Sequence, residues 1–503
     1  MNKSTWRAVL AIGLSLFPAQ AAFPQPAAVD SIKIELDERI PAADLLVDFE
    51  ILRRSLEALH PGLFRYNDRA SLDAAFEELR AEFARDRTLA EAYRAISIFA
   101  AKIRCGHTYA NFFNQGPAVK AQILQHPRVP FYFRWLGDRM IVTRSFAAEP
   151  QLRPGAQITE INGTPVSDIL KRLMSVARAD GGNDAKRASQ LEVTGEAEFE
   201  AFDVYFPLFF PWSAEDCALA ILDSSTGQEK TLQVPLMTHE QRLAARVANE
   251  SESPDAPLWK LEMGKDSIGY WRMPSWVAYE GTWNWRGSIS EIFDELIKRD
   301  APALIIDVRG NEGGTTEIAD EILARLIREP VNLGNVQEKV RFRTVPEDLL
   351  PYLNSWDPSF RRLGQAAEDQ GDGFFRLRRE SSAAINPQCD RFAGKVFVLV
   401  DAANSSATFR FASLAQQHGL ATLVGQPTGG NQRGINGGAM YFLLLPKSQI
   451  ELDIPLIGYF PEGRPPDAGL TPDVIIVPTI EEIADGRDAV LDKARELARP
   501  LSR

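Results

Sequence analysis

The chain has 503 residues, 45% hydrophobic and 25% charged, which is length and apolar content for roughly two to four packed domains. Its formal net charge of −12 excludes nucleic acid as a partner class, because phosphate binding needs a basic face and no basic run is present. No tandem repeat or low-complexity tract stands out.

Residues 1–22 have the pattern of a secretory signal. Lys3 and Arg7 give the positive start, Ala8 to Phe17 the short apolar core, and Ala19-Gln20-Ala21 the small-x-small cleavage site. The apolar core is too short to span a bilayer, and no later run is long and apolar enough to do so. The expectation is an exported protein, periplasmic or secreted, without stable membrane insertion. Removal of Lys3 and Arg7 takes the charge from −12 to about −14.

Residues 30–110 read as an N-terminal helical domain. Leu45, Phe49, Leu52, Leu56 and Leu59 recur at helical spacing until His60-Pro61-Gly62 breaks the pattern. Two more helices are expected at 70–86 and 89–103. Residues 127–240 change character, with short β-like runs at Val129 to Trp135, Met140 to Thr143, Phe202 to Phe206, Ala218 to Leu222 and Lys230 to Val234. Among them, Pro154-Gly155, a strand to Ile161, the turn Asn162-Gly163 and a helix from about Val166 resemble the second half of a PDZ domain. Such domains bind extended peptides by adding a strand to a sheet edge. Residues 241–260 are polar and read as a linker.

From 261 to 480 the pattern is strand–helix–strand, an α/β domain with a central sheet. Strands are expected at Ser267 to Arg272, Ala303 to Val308, Lys395 to Val400, Ala421 to Val424 and Tyr441 to Leu445. Helices are expected at Ser288 to Arg299, Thr316 to Arg328 and Thr408 to His418, with an Arg-, Asp- and Glu-rich insertion at 335–390. Residues 481–503 form a C-terminal helix. The cysteines are Cys105, Cys217 and Cys389; an exported compartment permits a Cys217–Cys389 disulfide, and no paired Cys/His spacing suggests a zinc site.

The chemistry concentrates in three places. The strand Val396 to Val400 ends in the turn Asp401-Ala-Ala-Asn404-Ser405-Ser406, and a helix follows directly. A serine at such a junction presents its hydroxyl to a cleft, beside unpaired helix N–H groups that suit a developing oxyanion. The competing reading is that Asn404, Ser405 and Ser406 only cap the helix. Second, the buried strand Leu304 to Val308 runs into Arg309-Gly310-Asn311-Glu312-Gly313-Gly314, which lacks both Gly-Lys-Ser/Thr and GxGxxG and so fits an oxyanion loop better than a phosphate loop. Third, a serine nucleophile needs a base. Of His60, His107, His126, His239 and His418, His107 is the best placed, in Cys105-Gly106-His107-Thr108 where the helical domain stops.

Together these motifs resemble the C-terminal processing, or tail-specific, serine peptidase family. Ile306 to Gly314 resembles its signature strand and loop, Ser406-Ala407 its nucleophile turn, and Leu423-Val424-Gly425 with Thr428-Gly429-Gly430 the segment that follows. His60-Pro61-Gly62, Gly106-His107-Thr108 and the closing Gly469 to Ile475 also have counterparts in the family. The resemblance implies a crotonase-like α/β catalytic domain, hydrolysis of a peptide or protein substrate, and no metal or organic cofactor. Two departures stand out. Asn431 occupies the place of the lysine base, and Phe409 replaces the glutamate of Ser-Ala-x-Glu. The sequence therefore resembles the branch similar to the tricorn core protease, with serine and histidine, although Gly106 stands where that type carries a serine.

The resemblance assigns Ser406 as nucleophile and His107 as general base. The orienting acid is Asp467 as first choice and Glu462 as second. The backbone N–H groups of Gly313 or Gly314 and of Ala407 hold the oxyanion. The alternative is a catalytically inactive or weak binding protein for peptides or apolar ligands. The interphotoreceptor retinoid-binding protein resembles the family and is a carrier, so the scaffold does not guarantee catalysis. An α/β-hydrolase esterase is disfavoured because Ser406 lies in no Gly-x-Ser-x-Gly elbow.

Overall fold

A computed structural model describes residues 38–222, 227–248, 258–279, 283–333, 336–378 and 384–499. The secretory-signal segment lies outside the described residues. The first helix, Ala42–Leu59, buries Leu45, Phe49, Leu52, Leu56 and Leu59 on one face, and its last turn stops at His60 before Pro61. Arg69–Phe83 starts at Asp68, whose carboxylate accepts the Ser71 N–H at 2.7 Å. Leu89–Lys102 starts at a reciprocal Thr88–Glu91 capping box.

The next segment is an antiparallel sheet with strands in the order Phe131–Leu136, Arg139–Ser145, Gln157–Ile161, Asp216–Leu222 and Glu229–Pro235. The short strand Thr164–Pro165 folds back on Gln157–Ile161. The turn between them places Asn162 and Gly163 at φ of +49° and +75°, the left-handed pair that a two-residue hairpin needs. The helix expected from Val166 runs Val166–Leu173. The run Phe202 to Phe206 is not a strand but part of the helix Ala201–Phe209. Phe202, Val204, Tyr205 and Phe206 are all buried, so the run carries no polar face to reveal its period. The segment expected as a linker begins inside a further helix, His239–Ala248. Arg242 anchors it through a buried ion pair with Asp203.

The central α/β sheet has the order Val474–Ile475, Thr422–Gly425, Lys395–Val400, Ala303–Asp307, Gly269–Arg272 and Lys260–Met263. All neighbours are parallel except the last pair. Both faces are covered, which explains the continuous apolar strands. Leu304, Ile306, Val398 and Val400 face a core shared with residues of Trp285–Lys298, Thr316–Ala324 and Ser406–Gln417. Ala303, Ile305, Phe397 and Leu399 face the C-terminal helix Ala489–Ala498.

Tyr441 to Leu444 is a strand, as expected, but it lies outside this sheet. It belongs to Asn436–Leu444 in a second, antiparallel sheet, ordered Leu353–Asn354, Asn436–Leu444, Glu451–Pro461, Val336–Val340, Phe375–Leu377 and Ala367–Asp369. Strands from 335–390 therefore complete a sheet built around 436–461. Its buried face, with Val340, Leu443, Ile454 and Leu456, shares one core with the N-terminal helices. Asp48 adds a polar tie by accepting the N–H groups of Lys447 and Ser448. All three cysteines are free: Cys105 and Cys217 are buried and Cys389 is exposed, so the Cys217–Cys389 disulfide is absent.

Leu56 is fully buried in this shared core. Leu56→Ala should cost about 2–5 kcal/mol of stability by urea denaturation, through lost burial and the cavity left behind.

Candidate active site

The strand Lys395–Val400 delivers the chain into a turn that is fixed on every side. Asn404 is fully buried. Its side-chain oxygen accepts the Asp401 N–H, and its amide donates to the carbonyls of Val308 and Asn311. Its own carbonyl accepts the N–H groups of Gly429 and Gly430, at 2.7 and 2.9 Å. The turn is thus bound to the exit of the neighbouring strand on one side and to the Thr428-Gly-Gly segment on the other.

Neither serine caps the helix through its side chain. Ser405 is the N-cap residue, yet its hydroxyl donates to the Glu312 carbonyl at 3.1 Å. That hydroxyl is committed to holding the glycine-rich loop. Ser406 follows at φ of +50°, a left-handed backbone that costs a non-glycine residue about 1–2 kcal/mol. It is more open than its neighbours Ser405 and Ala407, which are both buried. The turn over-determines the strained backbone, and the result is a partly exposed serine at the start of Ser406–Gln417.

The glycine-rich loop packs against this serine. A Cβ on Gly313 would lie 2.8 Å from the Ser406 Cβ and 2.9 Å from the Ala407 nitrogen, so only glycine fits there. Gly313 and Gly314 have φ of +111° and +140°. The Gly313 N–H is already donated to the Asn311 side chain at 2.8 Å, which removes it from the expected oxyanion donors. No partner for the Gly314 N–H is found among the described residues, and the helix hydrogen bonds begin only at Phe409, which donates to Ser405. Gly314 and Ala407 are therefore the donors this corner offers.

His107 sits at the end of the helical segment. His60 supports it: the His60 Nδ1 accepts the Gly62 N–H, so Nε2 carries the proton and donates to the Thr108 hydroxyl at 2.8 Å. Burial, and then the Arg65 charge, push the His60 pKa down to about 3, which keeps it neutral. These bonds give His60 a structural role. The His107 ring lies over Gly437, where a Cβ would come 3.7 Å from Nε2. Its Nδ1 is buried without a hydrogen-bond partner among the described residues. Burial first, then the positive charges of Arg178 and Lys186 against the opposing charge of Glu312, push its pKa down to about 4.

Sequence reasoning gives no role to Arg178, Lys186 or the Glu312 side chain, yet all three surround this histidine electrostatically. Lys186 donates to Glu312 at 2.7 Å, and Arg178 donates to Glu312 at 3.0 Å and to the Gly106 carbonyl at 2.7 Å. The one signal available in sequence is an acidic residue inside a glycine loop.

Asp467 does not reach the imidazole. Its carboxylate accepts the Gly182 N–H at 2.9 Å and the Asn431 amide at 2.7 Å, with Arg104 and Arg433 at 3.8 and 3.7 Å. Burial raises its pKa, but these bonds and charges outweigh it and hold the carboxyl below the usual range. Asn431 spans Asp467 and the Asp180 carbonyl. Asp180 in turn accepts the Gly106 N–H at 3.0 Å. Asp467 is thus a latch on the turn at 180–182, which itself holds the histidine loop. Glu462 is exposed beyond the end of Glu451–Pro461 and has no bond to His107. The orienter role assigned to this pair fails for both, because one carboxylate is committed elsewhere and the other faces water.

Residues 267–476 match the model of peptidase family S41. This segment is similar to an S41 peptidase domain. It contains Ser406 and the Gly313-Gly314 loop but not His107, Arg178 or Lys186. The match supports a serine peptidase. No curated protein matches the chain in sequence. Among solved structures, mature CPAF complexed with lactacystin is similar at 15% identity and a TM-score of 0.63, covering 91% of this chain and 98% of that one. Mature CPAF alone gives 15% identity, a TM-score of 0.61 and coverage of 91% and 97%. The photosystem II D1 C-terminal processing protease gives 16% identity, coverage of 89% and 98%, and a TM-score of 0.40. The likeness to CPAF is one of fold, and it extends well beyond the S41 segment into the helical and β-rich parts.

Asp467→Asn should lower stability by about 1–3 kcal/mol in chemical denaturation, because a latch between loops loses its charge-assisted bonds. Glu462→Gln should change it by less than about 0.5 kcal/mol. The depressed carboxyl of Asp467 stabilises the fold above the usual aspartate pKa, and that contribution should fade as acid protonates it.

Proposed function

We propose that this chain is an exported serine peptidase in which Ser406 is the nucleophile and His107 the general base. The observation that carries the reading is the strained, left-handed Ser406 at a strand-to-helix turn, with Gly313 pressed against it. Ser406 Oγ attacks the scissile carbonyl while His107 takes its proton and returns it to the leaving amine. The N–H groups of Gly314 and Ala407 hold the oxyanion. In this reading residues 30–110 supply the histidine, 127–240 form a PDZ-like β-rich domain that recruits an extended peptide, and 261–480 carry the nucleophile. The signal at 1–22 directs export.

One observation favours the second reading, a weak or inactive binder: the buried Nδ1 of His107 lacks a carboxylate partner among the described residues. An imidazole without an orienter loses its fixed tautomer. A fluorophosphonate probe separates the two. Covalent labelling mapped to Ser406 by peptide mass spectrometry supports the peptidase, and an intact, unlabelled protein supports the binder.

With fluorescein-labelled casein as substrate, Ser406→Ala should abolish hydrolysis with the fold intact by circular dichroism, and Ser405→Ala should leave residual activity. If Ser405→Ala is the inactive variant and Ser406→Ala is active, the nucleophile assignment fails. His107→Ala should fall to the Ser406→Ala level, and the double variant should fall no further, because the two act as one unit.

A general base works only when neutral, so activity should be lost as pH falls through the histidine pKa. That pKa is pushed down from 6.5 to about 4, so the acid limb of kcat/KM should lie near pH 4. A rate that rises only above about pH 9 would assign the base to a lysine.

A further inference from the structure

Lys186 is an unusual residue to find beside a nucleophile turn. It lies in the short helix Asp184–Gln190, outside the S41 segment, and its side chain is only 2% exposed. Its stem packs on Gly429, where a Cβ would come within 2.8 Å of the Lys186 Cδ. Its ammonium has two anchors: the Glu312 carboxylate at 2.7 Å and the Ala403 carbonyl at 2.8 Å, three residues before Ser406.

Arg178 has the same double attachment on the other side. It donates to the second Glu312 oxygen at 3.0 Å and to the Gly106 carbonyl, next to His107, at 2.7 Å. Its guanidinium also stacks 4.2 Å over the Tyr109 ring, so it grips the histidine loop on both sides of His107. Glu312 closes the set. Its carboxylate joins the two cations, its carbonyl accepts the Ser405 hydroxyl, and the next residue is Gly313 against Ser406.

Three loops that come from distant parts of the chain thus meet at one carboxylate. Each cation spends one arm on Glu312 and the other on a catalytic loop. Stability alone does not call for this arrangement. Sealing an ammonium away from water is expensive, and apolar side chains of similar volume usually serve the fold as well or better. A charged fork, unlike an apolar contact, fixes direction as well as distance.

We propose that Arg178 and Lys186 are positioning residues, clasped by Glu312, that set the His107 loop and the Ser406 turn in register across the boundary between the β-rich part and the S41 domain. The inference rests on the Ser406–His107 reading and deepens it.

The test uses the full chain with fluorescein-labelled casein, and a fluorophosphonate probe in parallel. Arg178→Met and Glu312→Gln alter partly exposed side chains and should fold; Lys186→Met removes a sealed one, and a failure of that variant to fold leaves the other two to decide. Each folded variant should lose about tenfold to hundredfold in kcat with little change in KM, and label more slowly by a similar factor. Lys186→Arg, which keeps the charge, should recover part of the loss.

The pH profile supplies a readout that a purely structural role would not move. The charged groups that act on His107 are Arg178, Lys186 and Glu312; Gly437, from the second sheet, brings no charge. Arg178→Met should move the acid limb to higher pH, and Glu312→Gln should move it to lower pH. Variants that lose thermal stability but keep kcat and the wild-type limb overturn the inference and leave the Ser406–His107 reading standing. A folded wild-type protein that neither labels nor hydrolyses overturns both.

Discussion

The geometry of the active corner depends on the buried Asn404. Its side chain and its backbone carbonyl bind, at one residue, the Asp401 turn, the exit of the neighbouring strand and the Gly429-Gly430 segment. A buried amide with every group satisfied is stiff, because each alternative arrangement strands a polar atom. That stiffness lets Ser406 hold a left-handed backbone two residues later. Strain of this kind persists only where the surroundings over-determine it. The glycines at 313 and 314 complete the constraint from the opposite side.

Around that rigid corner the molecule is assembled from parts. The segment that matches S41 brings Ser406 and the Gly313-Gly314 loop, the helical segment brings His107, and the β-rich segment brings Arg178, which touches both, and Lys186, which touches the first. The second antiparallel sheet couples them further, since its strands come from both sides of Ser406 in sequence and its apolar face belongs to the helical core. Asn431 fits the same picture. Its amide latches the turn at 180–182 through Asp467 and the Asp180 carbonyl.

Much of this is legible in the sequence, and the failures have physical causes. Apolar periodicity locates the first helix, the parallel strands and the helix that starts at Ser406, because each buries a defined face. The Asn162-Gly163 hairpin is legible because left-handed turns restrict residue choice so strongly. Phe202 to Phe206 reads wrongly as a strand because a segment buried on all sides shows no period. The second sheet escapes sequence reasoning because its strands pair across about a hundred residues, and nothing local announces such pairing. The same reason hides Arg178 and Lys186, whose partners lie 134 and 126 residues away at Glu312. Asp467 stands out in sequence as an acidic residue in a stiff loop, yet its charge serves Gly182 and Asn431. Residue type marks a group as capable of orienting a histidine, and only the tertiary structure decides which group does.

Ser406 and His107 are assigned here to the same carbonyl, with Gly314 and Ala407 receiving the oxyanion. A crystal structure of the fluorophosphonate adduct tests this central claim most directly. The expected result is phosphorus bonded to Ser406 Oγ, the phosphonyl oxygen within hydrogen-bond reach of the N–H groups of Gly314 and Ala407, and His107 Nε2 within about 2.6–3.2 Å of Ser406 Oγ or the leaving-group position. An adduct on another residue, or a bound phosphonate at Ser406 with His107 turned away and the Lys186 ammonium in its place, would contradict it.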